Sequence, residues 1–334
     1  MKTGWQMKQQ LEEILNGKRL SVEEARVLMH LALQESTNGA QLAALLTLLR
    51  ARAVTLDELD GFSRAVLELA TLLDLSPYSV MDLCGTGGDN RNTFNISTAT
   101  AFVLAGAGYK VAKHGNYGVS SMCGSSNVLE ELGVKFSTDR EVLLRALEAT
   151  NVCFLHAPLF HPVLGRAQAV RRELGFRTVF NMLGPLVNPA QPAFQINGVY
   201  DRPLLRLYGY LLARRGAHFA TLFTTDGYDE VTLTAPLEII TRAGRRQLQP
   251  EDFGLFKVAH SEIKGGASIA ESAKLLVAIL EGRGSPAQQA VVTASAGLAM
   301  WCSAERGLLI DHVEQARETI SSGRALKVLK DSVA

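Results

Sequence analysis

Apolar positions in residues 1–72 recur at helical spacing and never alternate. Leu28 with Leu31, then Leu42, Leu45, Leu46 and Leu49, form stripes of this kind. Three pairs with capping spacing precede them: Ser21 with Glu24, Asn38 with Gln41, and Thr55 with Glu58. The pattern predicts a small all-helical domain whose leucine surplus leaves one face to be covered. From residue 78 the pattern becomes strand, glycine loop, helix, strand. Residues 80–84 read as a short buried strand interrupted only by Asp82, and the loop "GTGGDNRNTFNIST" fills 85–98. A helix over 97–107 is stopped by Gly108, and a strand over 109–113 follows. A second polar loop, "HGNYGVSSMCGSSN", leads to a helix over 128–132 stopped by Gly133. Strands alternating with helices predict a mainly parallel sheet, with ligands at the carboxyl ends of its strands. Both polar loops fall at such ends.

Residues 162–190 read as an excursion, a helix "HPVLGRAQAVRRELG" and a proline-rich return "NMLGPLVNPA". Residues 218–225 read as a strand that ends in "DGYDE", and 230–236 as its continuation in a further strand. The last 70 or so residues read as helices over 268–281, 285–302 and 311–322.

Composition narrows the function classes. The 334 residues suffice for two domains, with 47% hydrophobic and 20% charged residues. A net charge of +1 gives no global attraction to nucleic acid or anionic membrane, so any anion must be held locally. Cys84, Cys123, Cys153 and Cys302 have neither metal nor redox spacing, which predicts reduced thiols in a cytoplasmic protein. The charged N-terminus does not read as a signal peptide, and no long charge-free apolar run predicts a membrane span.

The first loop is suited to an anion. Its glycines let backbone N–H groups approach a ligand, and Ser97 and Thr98 open a helix whose N-terminus favours negative charge. Thr93 and Asn95 add donors, and Lys113 adds a cation. The same residues also describe a plain glycine turn with a capped helix. A Walker loop is excluded, because no GK[ST] ends the glycine run. A dinucleotide fingerprint is excluded too, because Asn90 stands at the third glycine position. Asp229 and Glu230, expected on an exposed loop, offer hard oxygen ligands suited to Mg²⁺ beside phosphates, although a solvated turn often carries such a pair. Arg171 and Arg172 on the excursion helix can grip a carboxylate or simply face solvent.

Taken together, "GTGGD" (85–89), "TFNIST" (93–98), "KHGN" (113–116), "VSSMCGSSNVLEELGV" (119–134), "HAPLFHPV" (156–163), "VRRELGFRTVFNMLGPLVNPA" (170–190), "GYDEV" (227–231) and "SSGRA" resemble the anthranilate phosphoribosyltransferase family, which is grouped with the pyrimidine nucleoside phosphorylases. The resemblance covers most of the chain. It implies a small helical domain (1–72 with 163–190) that forms a homodimer, and a larger α/β phosphoribosyl-pyrophosphate domain (73–162 with 191–334). The active site is expected in the cleft between them. It implies that Gly85, Gly88, Asp89, Thr93, Asn95, Ile96, Ser97, Thr98, Lys113, Asn116, Ser120, Ser121 and Ser125 hold phosphoribosyl pyrophosphate. Gly85, Asn116, His161, Arg171 and Pro185 are implied for anthranilate, and Ser97, Asp229 and Glu230 for two Mg²⁺ ions. The implied reaction transfers the phosphoribosyl group to the amine of anthranilate in tryptophan biosynthesis, with no partner beyond small molecules and a second copy.

The chain departs from the family pattern at Asn90, Tyr117, Asn127 and Ala270. Tyr117 and Asn127 can stand in together for an Arg–Asp pair, and an altered aromatic acceptor stays open. Two rivals remain at this stage. A nucleoside phosphorylase would use inorganic phosphate and has little need of the acid pair or Arg171. A non-catalytic nucleic-acid-binding paralogue would carry a basic stripe and lose the acids.

Overall fold

The computed structural model describes residues 2–89, 91–118 and 123–334. The chain divides into two compact units, Met1–Leu72 with Ala157–Pro189, and Leu73–His156 with Ala190–Ala334.

In the helical unit, α1 (Lys2–Leu15), α2 (Val22–Ala32), α3 (Gly39–Arg52) and α4 (Leu56–Glu68) begin where the capping residues predict. Ser21 and Thr55 each complete a reciprocal box with Glu24 and Glu58, and Asn38 accepts the Gln41 N–H. Leu28, Leu45, Leu46, Leu49 and Phe62 are buried from these helices. The excursion contributes two more helices, which are numbered α8 and α9 after those of the α/β unit below. The unit takes in residues 157–162, which the sequence assigned to the α/β domain. The reason is packing: Phe160 and His161 are buried, and the Phe160 carbonyl accepts the Thr71 N–H at 2.9 Å.

The α/β unit runs β1 (Met81–Gly85), α5 (Ile96–Gly106), β2 (Val111–Gly115), α6 (Ser125–Glu131), α7 (Arg140–Thr150) and β3 (Val152–His156). The chain then gives α8 (Ala157–Phe160) and α9 (Gly165–Leu174) to the helical unit. It returns through β4 (Phe194–Gly198), α10 (Arg202–Arg214), β5 (His218–Thr224), β6 (Leu237–Thr241) and β7 (Gly244–Leu248). It closes with α11 (Ile269–Leu280), α12 (Pro286–Ala304), α13 (Leu309–Ser321) and α14 (Arg324–Val333). The sheet order is β3-β2-β1-β4-β5-β6-β7, with β1 to β5 parallel and β6 and β7 antiparallel. Helix α5, buried nearly all round, packs against α12, α13 and α14. Among the described residues no helix is long and apolar enough to cross a membrane.

Two strand expectations are corrected. Residues 230–236 are not a strand but a buried irregular segment. Leu233 turns it with φ 59°, and the hydroxyls of Thr232 and Thr234 bond to each other at 2.7 Å, so local side-chain bonds replace a ladder. Strand β2 starts at Val111 and not at 109, because the Tyr109 N–H still caps α5 through the Leu104 carbonyl. Lys113 therefore lies in mid-strand.

Glu58 is the polar keystone of the helical unit. Its buried carboxylate accepts the Leu20 N–H at 3.0 Å, the Thr55 N–H at 2.9 Å and two Arg52 guanidinium nitrogens at 2.9 and 2.7 Å. Burial alone would raise its pKa, but these donors hold it below the ordinary value. Glu58→Ala leaves the donors without their acceptor and should destabilise the unit by roughly 3 kcal/mol. The measurement is the urea midpoint at pH 7. Because the folded pKa is depressed, the stabilisation is present above the unfolded pKa and is lost as pH falls through the folded one. The two proteins should therefore converge in stability in acid.

Candidate active site

The sheet order makes the β1–β4 boundary the switch point: the chain moves from β1 outward to β2 and β3, then restarts on the other side at β4. Ligand crevices of open parallel sheets lie beyond the carboxyl ends of strands at such points. Three segments arrive there: the loop after β1, the loop after β2, and the turn after β5.

Asp229 ties two of them together, and it is buried. Two glycines leave room for it. A side-chain carbon on Gly198 would fall 1.7 Å from the Asp229 carbonyl oxygen, and one on Gly85 would fall 2.4 Å from its Oδ2. The Gly87 N–H donates to Asp229 Oδ2 at 2.6 Å, and the Thr86 N–H donates to the Gly198 carbonyl at 2.9 Å. Gly87 and Gly88 turn the loop with φ of 64° and 75°, a region open to glycine at little cost. The acid pair is thus not the exposed loop that the sequence suggested. Asp229 is walled in by backbone, and Glu230 is half-buried.

Burial pushes Asp229 well above the usual carboxylate range, and the negative charges of Asp89 and Glu230 push the same way. Burial also raises Glu230, to about 7, although Lys113 and Ser97 pull it down. Lys113 is buried in β2, and its ammonium donates to the Leu83 carbonyl at 2.6 Å and to Ser97 Oγ at 3.3 Å. The Ser97 N–H, at the start of α5, faces Glu230 Oε1 at 3.4 Å. Crowded acids of this kind are relieved by a cation. Among the described residues no three His, Cys, Asp or Glu side chains converge into a ready-made cage. Asp229, Glu230 and Ser97 supply hard oxygens but leave most of a coordination sphere open, which fits a small divalent cation completed by water and substrate phosphates.

The remaining loop residues have their own partners. Asp89 Oδ1 accepts the Arg91 N–H at 3.0 Å. Thr93 pairs with Lys264 across an isolated bridge, so the 263–265 segment props the loop from behind. Asn95 reaches the Cys123 carbonyl at 3.2 Å through its side-chain N–H. Ile96 and Thr98 are buried in the first turn of α5, and the Thr98 hydroxyl has no partner among the described residues. Gly88 is buried, whereas Asn116 is exposed. The Asn116 carbonyl accepts the Ser126 N–H at 3.1 Å and faces Ser125 Oγ at 3.4 Å. Asn90, Ser120 and Ser121 lie outside the described residues.

Tyr117 and Asn127 do not bond each other among the described residues. The Tyr117 hydroxyl donates to Glu130 at 2.7 Å, and Asn127 Oδ1 accepts the N–H groups of Gly118 and Gly124, both at 3.0 Å. Each fixes a different part of the second loop.

Sequence reasoning missed Arg91 and Tyr228. The Arg91 guanidinium donates to the Asp226 carbonyl at 2.9 Å and lies 4.9 Å from the centre of the Tyr228 ring. This fastens the glycine loop to the turn that carries Asp229. A lone loop arginine carries no signal in the sequence, because its partners lie about 135 residues away.

His161, Arg171 and Pro185 belong to the helical unit. His161 is buried, and burial drives its pKa down to about 4, so the imidazole is neutral at pH 7. Arg171 and Arg172 sit in the last turn of α9. Arg171 is half-buried, 5.5 Å from the Phe180 ring centre, and desolvation lowers its pKa. Arg172 is exposed. The two neighbours therefore differ in setting, as residues about 100° apart on a helix do.

The helical bundle domain of a glycosyl transferase family matches residues 8–70, and its a/b domain matches residues 77–326. Anthranilate phosphoribosyltransferase of Flavobacterium johnsoniae is 46% identical over 97% of this chain and 98% of its own. That of Bacteroides fragilis is 42% identical over 98% and 99%. Among solved structures, anthranilate phosphoribosyltransferase of Thermus thermophilus superposes with a TM-score of 0.90 at 34% identity, covering 97% of this chain and 98% of that one. The Saccharomyces cerevisiae enzyme in complex with PRPP and Mg also gives 0.90, at 27% identity and 98% of both chains. Both domain matches and full-length relatives agree with the motifs and the fold: the chain belongs to this glycosyl transferase family, within its anthranilate phosphoribosyltransferase group.

Proposed function

We propose that this protein transfers the phosphoribosyl group of phosphoribosyl pyrophosphate to anthranilate, giving N-(5-phosphoribosyl)anthranilate and pyrophosphate, a step of tryptophan biosynthesis. The observation that carries this reading is the knot of Gly87, Ser97, Lys113, Asp229 and Glu230 at the switch point, where a buried excess of acid accepts the N–H groups of Gly87 and Ser97. Such a site suits a ligand that brings both phosphates and metal.

In this reading Gly88, Asp89, Thr93, Asn95, Ile96, Ser97, Thr98, Asn116, Ser120, Ser121 and Ser125 line the donor. Gly85 serves the donor and the acceptor by leaving space, since its missing side chain also admits Asp229. Lys113 balances Glu230 and the leaving phosphates. Ser97, Asp229 and Glu230 would hold Mg²⁺, two ions per site, and bound Mg²⁺ supplies Lewis-acid stabilisation of the leaving pyrophosphate. The aromatic amine is already neutral at pH 7, so the chain needs no strong base. Its task is to hold two substrates in line and to shield them from water. Neutral His161 and Pro185 form an uncharged wall for the acceptor ring, Arg171 takes its carboxylate, and Asn116 bonds its polar edge. The helical unit, where Leu15 and Val27 stand exposed at 65% and 53%, is proposed to pair with a second copy in the cytoplasm.

Turnover should vanish with excess chelator and return with added Mg²⁺; full activity in chelator would remove the metal from the reading. Asp229→Asn with Glu230→Gln keeps the acceptor for the Gly87 N–H while deleting the charge. Turnover should fall roughly 100-fold or more with the thermal midpoint kept. An unchanged rate at saturating Mg²⁺ would make the pair purely structural.

Arg171→Ala should raise the KM for anthranilate roughly 10- to 100-fold, because the carboxylate loses a charge-assisted bond. The KM for the donor should move little. Arg172→Ala should spare both. Saturation curves for each substrate read the split, and equal damage to both substrates by Arg171→Ala would assign it to packing on Phe180.

A further inference from the structure

The α/β unit has a cavity of about 710 Å³ toward the opposite end of the sheet from the acid turn. It opens beside Phe219, near the start of β5, and reaches along β6 to Ile239, which stands opposite Leu222. Its volume falls in the range of small-molecule sites, and nothing in the reaction above uses it.

Strand alternation decides its chemistry. Ile239 of β6 stands directly opposite Arg246 of β7, so both project from one face of the hairpin, and both line the cavity. On the other face, buried Glu238 neutralises both Arg245, at 2.7 Å, and Arg202. Among the described residues no carboxylate does this on the cavity face. Among the described residues none of Arg242, Arg246 and Arg306 is in an ion pair, and all three line the cavity. The one lining carboxylate, Glu305, is 3.2 Å from His218 Nε2. Trp301 supplies an aromatic wall. Its Nε1–H is fixed on the Gly307 carbonyl at 3.2 Å, and Arg246 lies 5.5 Å from the ring centre. Guanidinium forks recognise phosphate and carboxylate, and guanidinium and indole planes stack on flat rings.

We propose that this cavity is a binding site for a planar aromatic anion, with Arg242 and Arg306 on the anionic group and Arg246 with Trp301 on the ring. The site is separate from the reacting centre and lies within one unit.

The chain has two tryptophans, Trp5 and Trp301, so Trp5→Phe makes fluorescence report on this cavity alone. ATP is the probe for ring plus anion, adenosine for the ring, and tripolyphosphate for the anion. The full-length protein should show saturable quenching of Trp301 by ATP. Adenosine should quench, and tripolyphosphate should compete with ATP, each at least about 10-fold more weakly. Arg242→Gln with Arg306→Gln should weaken ATP roughly 10- to 100-fold, and Arg246→Gln should weaken ATP and adenosine alike. For the Arg242/Arg306 double change, emission without ATP and the donor KM should stay as in the parent, which separates loss of the site from loss of the fold. A quench that rises without saturating, or one that survives the Arg242/Arg306 double change, would return these arginines to solvated surface and overturn the proposal. Adenosine matching ATP would overturn the anionic part.

Discussion

The site hangs on one buried carboxylate. Asp229 can occupy the switch point only because two neighbouring strands end in glycine, at Gly85 and Gly198. In return its Oδ2 holds the Gly87 N–H and so sets the shape of the loop between β1 and α5. A charge in such a place is costly unless something positive faces it. Lys113 meets part of that need through Glu230 and Ser97, and in the function proposed above a cation that arrives with substrate meets the rest. The raised pKa values of Asp229 and Glu230 are the measure of that cost, because protonation removes the charge that burial disfavours.

Much of the fold was legible in the sequence. The helix starts at Val22, Gly39 and Leu56 follow from three-residue capping patterns, which are local and specific. The strand–loop–helix order around 80–133 was legible too, because glycines and apolar runs mark it sharply. What escaped depends on distant partners. Residues 230–236 have strand-forming composition, but hydroxyl pairing and the left-handed Leu233 override it. The mixed sheet edge of β6 and β7 carries no clean alternation, and β7 is largely exposed, so its pattern is weak.

The candidate site divides in the same way. Motif residues such as Ser97 and Lys113 announce themselves by spacing. The burial of Asp229 does not, since an adjacent acid pair reads as surface until the two glycines that enclose it are brought together. Arg91 is invisible for a similar reason: its target is the backbone of a turn on another strand. Tyr117 and Asn127 looked coupled by substitution, yet each serves a separate contact. Sequence proximity predicted their neighbourhood, not their bonds.

The central strand pair has a consequence for synthesis. Gly85 registers with Gly198, and the whole returning segment of the helical unit lies between them in the chain. About 110 residues must leave the ribosome after β1 before its partner exists, a wait of roughly 6 to 20 s. Through that interval the apolar flank of β1 can pair with β2 alone. The nascent chain therefore carries an open parallel edge next to its most glycine-rich loop until β4 emerges.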